Sequence, residues 1–275
     1  MNPALLLLTD SRLPAGGHAH SGGTEQAIAT GAVHDLASLA AFLRGRLHTS
    51  GHVAAALAAA ACTLSAACTL SAARSPATAP VSGTGAGTGA GAGPEADSPS
   101  WALLDAEADA RTASPAQRDA SRTQGRLLLR VARRLWPSPA LDGLAQAVPN
   151  PHHPIALGAA AHAAGASPED AALAAAYHSI TGPATAAVRL LGLDPVAVHG
   201  LLADLAPDLA TTATTAAASA TAATANMAAR ATEPPETSGT PLGNQPWAEL
   251  PARSAPALDL LAERHAGAKV RLFVS

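Results

Sequence analysis

Eleven histidines are spread along a chain of 275 residues that has very few aromatic side chains. Two places bring them close in sequence: His18 and His20 flank Ala19, and His152 and His153 are adjacent. Neutral imidazole is a common ligand of zinc, nickel and copper, so each pair is a candidate metal site. Neither has an Asp, Glu or Cys beside it at ligand spacing, and no HExxH pattern occurs. The histidines therefore read as packing or surface residues, and no metal site is assigned.

Nucleophilic chemistry finds no better support. Cys62 and Cys68 have no recognisable catalytic partner, and no Gly-x-Ser-x-Gly elbow is present. Six residues at helical pitch separate the two thiols by about 9 Å and turn them to different faces. That is beyond disulfide reach, so they read as reduced thiols of a cytoplasmic protein. Tyr177, His178 and Ser179 are successive residues of a helical stretch, where neighbours point about 100° apart and do not converge. No catalytic residue and no cofactor is assigned.

A glycine-rich stretch from Asp10 to Glu25 raises the question of phosphate binding. It contains Gly16-Gly17 and Gly22-Gly23 and leads into a helix near Thr24. A Walker loop needs a lysine, and the only lysine of the chain is Lys269. The dinucleotide fingerprint needs a preceding buried strand and a spaced third glycine, which are also missing. The stretch reads as a shaped loop that other segments can approach closely.

The elements that must position these residues are helices. Hydrophobic residues make up 48% of the chain, but alanine dominates them and aromatics are only 2%. Such a core needs closely approaching helices, since strands favour β-branched and aromatic side chains. Starts are marked by a cap followed by proline at Ser98-Pro99, Ser114-Pro115, Ser138-Pro139, Ser167-Pro168 and Asp194-Pro195. Gln117 completes a capping box with Ser114, and Gly165 and Gly192 suit helix ends. The expected architecture is a single all-α domain, 1–275, of about ten helices. Two segments interrupt it: a Gly/Ala/Thr-rich insertion at about 75–98, read as disordered, and a Pro/Ser/Thr-rich linker at about 232–256. The last residues, 268–275, are basic and apolar, with no evident partner within the chain. A formal net charge of -3 leaves no footprint for nucleic acid. No apolar run reads as a membrane span, the alanine-rich run after Val53 being too weakly hydrophobic, and no signal peptide is read at the amino terminus.

The loop also resembles a known signature. Leu13-Pro14-Ala15-Gly16-Gly17-His18-Ala19-His20-Ser21-Gly22-Gly23-Thr24-Glu25 is similar to the opening of the UreF family of urease accessory proteins. His18 stands where that family commonly has an aromatic, and Thr24 where it commonly has leucine. Arg111, Thr112, Ser114, Arg118, Arg122, Gln124 and Gly125 resemble the family helix after a variable loop. The stretches 152–158 and 177–192 resemble its central part, the latter a helix pair. Arg264-His265 and the ending 271–275 resemble its carboxyl terminus.

The resemblance implies an all-helical, homodimeric, non-catalytic protein. It would bind UreD (also called UreH), recruit the GTPase UreG, and support nickel insertion into apo-urease with carbamylation of the urease active-site lysine. His265, Arg271, Leu272 and Phe273 would belong to the UreD-type interface. Gly16 and Gly17 would let another segment lie against the loop. Arg189 either faces the GTPase or only complements its helix end, and Glu25 either positions a partner or only complements a helix start. A helical metalloprotein or enzyme using His18/His20 or His152/His153 stands as the alternative.

Overall fold

The computed structural model describes residues 2–74, 99–230 and 247–273, and among them the chain is helical, with no strand. The first apolar segment forms α1 (Pro3–Thr9), capped by Asn2. A 3-10 turn (Gly17–Ala19) and the left-handed Gly22 and Gly23 lead into α2 (Thr24–Ala29). Asp35 and Ser38 cap α3 (Leu36–Arg46) reciprocally. A π turn (Leu47–Gly51) joins it to α4 (His52–Arg74). There follow α5 (Pro99–Ala110), α6 (Pro115–Leu135), α7 (Pro139–Ala147) and α8 (His153–Ala163). The last four are α9 (Pro168–Leu191), α10 (Pro195–Asp204), α11 (Ala206–Arg230) and α12 (Pro256–Ala266).

The cap-and-proline signals mark real starts. Ser114, Ser138 and Ser167 each accept the main-chain N–H three residues on, and Asp194 accepts that of Val196. Gly165 and Gly192 end their helices at φ of 78° and 65°. The Thr/Ala run at 211–225 is helical throughout. Thr211, Ser219, Thr221 and Thr224 each donate to a carbonyl one turn back, so their hydroxyls are satisfied inside the helix.

Alanine sets the architecture. Ala55 to Ala61 are buried along α4, which packs against α8, α9 and α11. A Cβ on Gly158 of α8 would stand 2.1 Å from the Ala58 carbonyl oxygen, so α4 and α8 meet backbone to backbone. Likewise, a Cβ on Gly125 of α6 would stand 2.0 Å from the Pro151 carbonyl oxygen. Small side chains give close approach and many weak dispersion contacts in place of bulky ones.

Four expectations need correction. The run Leu36–Leu70 is long and apolar enough to cross a membrane by composition, contrary to the reading of the run after Val53; here it lies in the core, with 61% of its most apolar stretch buried. Gln117 does not complete a capping box; instead Glu263 of α12 accepts from the Ser114 hydroxyl and the Ala116 N–H at that helix start. Residues 177–192 lie in one helix with Pro183 inside it, not in a helix pair. The end of the supposed linker is anchored: Trp247 and Leu250 are buried, and Arg111 donates to the carbonyls of Trp247, Ala248, Leu250 and Pro251. The remainder of that linker, 232–246, and the insertion at 75–98 lie outside the described residues.

Pro183 has a visible consequence. It has no N–H, so the Ser179 carbonyl four residues back loses its helical donor. Arg46 Nε supplies the missing bond at 2.7 Å, while Nη1 donates to the Gly22 carbonyl at 2.8 Å. One guanidinium thus ties the end of α3, the proline-containing α9 and the glycine loop together.

Candidate partner-binding site

The carboxyl-terminal helix is set in place by its own acid. Glu263 accepts from the Ser114 hydroxyl and from the Ala116 main-chain N–H, at the N-terminus of α6. The Ser114 hydrogen bond holds the Glu263 carboxyl below the usual carboxylate range. This docking fixes α12 across α6 and α2 and brings the chain end back to the start of α2.

There the tail finds a partner within the chain, contrary to expectation. The Glu25 carboxylate accepts the Leu272 N–H at 2.8 Å and the Phe273 N–H at 3.1 Å. His265 is 2% exposed; its Nε2 lies 3.2 Å from the Phe273 carbonyl oxygen and its Nδ1 3.7 Å from Glu25. With the proton on Nε2, the imidazole donates to the tail while its other edge faces the acid. The tail is therefore held by its main chain, and its side chains are left to point elsewhere. Leu272 is 76% exposed and Val270 83%.

Four of the anticipated residues, Glu25, His265, Leu272 and Phe273, thus form one cluster. Arg189 joins its rim: with Ala19, Leu190, Leu272 and Phe273 it lines a notch of 420 Å³. Arg189 and Arg271 are exposed, with no carboxylate partner among the described residues. The two glycines behave differently from each other. Gly16, at φ of 78°, packs against α6, where a Cβ would meet Leu127 Cδ1 at 2.9 Å. A Cβ added to Gly17 would meet nothing within 4 Å, and the residue lines a cavity of 1220 Å³ that also reaches Arg271 and Phe273.

Six histidines line the same cavity, among them His20, His153 and His178. The rings of His153 and His178 are 5.7 Å apart. Burial, reinforced by His178 and His20, pushes His153 down to about 3, and burial pushes His178 down to about 4 against a hydrogen bond with the Leu8 main chain. Both are neutral at physiological pH.

The UreF family model matches residues 33–206, well over half of the chain. The chain belongs to the UreF family. It is 40% identical to the urease accessory protein UreF of Mycolicibacterium vanbaalenii over 271 residues, covering 98% of this chain and 97% of that one. The protein of the same name from Mycobacterium marinum is 42% identical over 209 residues, covering 76% and 82%. That of Mycobacterium tuberculosis strain H37Rv is 39% identical over 212 residues, covering 76% and 83%. These relatives are named as accessory factors of urease, and the family is not one of catalysts.

The chain carries one polar cluster that sequence reasoning missed. Asp105 and Asp109 of α5 come within ligand distance of His152. His152 Nε2 lies 2.9 Å from Asp109, its Nδ1 3.0 Å from the Ser121 hydroxyl, and its main-chain N–H donates to Asp105 at 2.8 Å. Arg122 bridges both acids, at 2.9 and 2.5 Å. Burial alone would raise Asp109, but hydrogen bonds from His152 and Arg122 hold it below its usual value. The acids are already neutralised by a guanidinium, so the cluster fits a structural clamp between α5, α6 and the start of α8. The i,i+4 spacings of Asp105/Asp109 and Arg118/Arg122 were the available signal. Both His152 and His153 line the cavity, but their ring partners differ: His152 meets Asp109 and Ser121, and the His153 ring lies near that of His178. The His18 side chain lies outside the described part.

Proposed function

We propose that this chain is a non-catalytic scaffold of urease maturation. It would act in the cytoplasm as a homodimer, binding a UreD (UreH)-type protein and recruiting a UreG-type GTPase for nickel insertion into apo-urease. The observation that carries this reading is the clasped tail. Glu25 and His265 fix its main chain while Val270, Arg271 and Leu272 stay open, which presents an ordered apolar and basic edge to a partner. A tail ordered before docking spends less conformational entropy on binding. Arg189 and Arg271 add unpaired cations beside Leu272 and Phe273, a combination suited to hot spots.

The test is capture of UreD- and UreG-type proteins from the same source by the purified chain, with and without residues 265–275. Leu272→Asp supplies a version that leaves buried groups untouched. The expected result is capture by the intact chain, loss on truncation, and at least about tenfold weaker capture by Leu272→Asp, corresponding to roughly 1.4 kcal/mol. Capture unaffected by both changes would remove the tail from the interface, and no capture at all would remove the scaffold reading. The metalloprotein alternative is weaker, because His152 is committed to Asp109 and Ser121. Stoichiometric metal in the purified protein, lost in His20→Ala or His153→Ala, would favour it.

A further inference from the structure

The junction of α3, α9 and the glycine loop contains a cation, Arg46, with no carboxylate partner among the described residues. Arg46 has five N–H groups, and only two are used, on the Ser179 and Gly22 carbonyls. Among the described residues no carboxylate reaches it. Its surroundings are enclosed enough that burial lowers it to about 10, yet a guanidinium stays protonated at any physiological pH. Three N–H groups, two of them on Nη2, are therefore left to the cavity that Arg46 lines with Gly22, Ser50 and Ser179. Arg46 is partly buried, held by two carbonyls and without a counterion, so its unused donors are free to meet an anion in the cavity. The backbone here is also irregular: the π turn Leu47–Gly51 starts at the next residue, Gly51 packs on Ser179, and the facing helix has Pro183 inside it. Such π turns recur at functional sites.

We propose that the Arg46 end of this cavity is a seat for a small oxyanion of the carboxylate, bicarbonate or phosphate class. Two carbonyls fix the guanidinium plane, so its orientation is set before the anion arrives. The unspent Nη donors then offer charge-assisted hydrogen bonds to one or two anion oxygens. Arg46 and the tail line the same cavity, but no hydrogen bond or ion pair joins Arg46 to residues 265–273, so substitutions at the two places can be read separately.

The test titrates the full chain separately with sodium bicarbonate, phosphate and acetate, against sodium chloride at equal ionic strength. The expected outcome is a saturable rise in Tm for at least one of them beyond the chloride control, roughly 5 °C at a hundredfold excess over Kd. That increment is lost in Arg46→Gln and reduced in Arg46→Lys, which keeps the charge without the fork. A second reading uses unmodified protein: the Arg46 Nε resonance, slowed by its bond to Ser179, shifts with the same midpoint. This decides the matter if Arg46→Gln does not fold. Increments no larger than those of chloride, a full increment in Arg46→Gln, or an Nε signal that stays still would each overturn the proposal and leave Arg46 as a purely structural tie. The three salts distinguish which oxyanion is preferred.

Discussion

Around α4, neighbouring helices touch through their backbones, whereas at the loop-and-tail end single side chains reach across to main-chain groups. Gly158 leaves no room for even a methyl group beside the Ala58 carbonyl. By contrast, α12 is moored by Glu263, the tail by Glu25, and the segment after Trp247 by Arg111. The centre is fixed by many small contacts that cannot be altered singly without moving a helix. The other end rests on a few polar bonds, each of which can be released without disturbing the core. The proposed scaffold role, presenting a docking edge while the body stays folded, is served by this division.

The largest expected effect breaks the central half of the comparison. Gly158→Ala would force α4 and α8 apart, because the obstacle is backbone and not a flexible side-chain end. Overpacking of that kind should cost about 3 kcal/mol, read as a fall in the urea midpoint. Gly125→Ala should behave similarly against Pro151.

A second effect comes from the buried imidazoles. Unfolded histidine takes up its proton near pH 6.5, whereas His153 and His178 resist until about 3 and about 4. Their folded values are depressed, so the unfolded state binds more protons below pH 6.5. Stability is then full above that pH and falls as the solution is acidified toward pH 4. The slope is at most about 1.4 kcal/mol per pH unit for each, and less because the cavity admits solvent. Chemical denaturation at pH 7, 6 and 5 should show this decline, and His178→Gln should flatten it whatever that substitution does to stability at pH 7.

At the tail, Glu25→Gln keeps the shape and removes the charge. The clasp should weaken by about 1 kcal/mol, and the Leu272 and Phe273 amides should exchange roughly fivefold faster, with the urea midpoint almost unmoved. An equal loss of global stability would show that the two regions are not separable.

How much of this was legible in the sequence follows the same division. The starts of α6, α7, α9 and α10 are written in adjacent Ser-Pro or Asp-Pro pairs, because a cap and a fixed φ are local physics. The alanine content announces helices packed closely. Family resemblance named Glu25, His265, Leu272 and Phe273 as separate partner-binding candidates; neither their meeting in one cluster nor the bonds joining them was read from it. A carboxylate that accepts from main-chain N–H groups nearly the whole chain away leaves no periodic trace, and neither does Arg46 filling the bond that Pro183 cannot make. The anchored segment at 247–251 was misread because its composition resembles a linker, while its order comes from Arg111 and a buried Trp247.

The smallest effect sharpens the comparison by using one chemical change in two places. Gly45 lies inside α3 on an exposed face, its φ is ordinary, and nothing stands within 4 Å of a Cβ added there. Glycine in that position gives the unfolded chain freedom that folding must remove, with no compensating close approach. Gly45→Ala should therefore stabilise the protein by about 0.5–1 kcal/mol, seen as a raised urea midpoint. The same methyl group thus has opposite signs at Gly45 and Gly158. The difference arises because only at Gly158 is the absence of a side chain what allows two helices to meet.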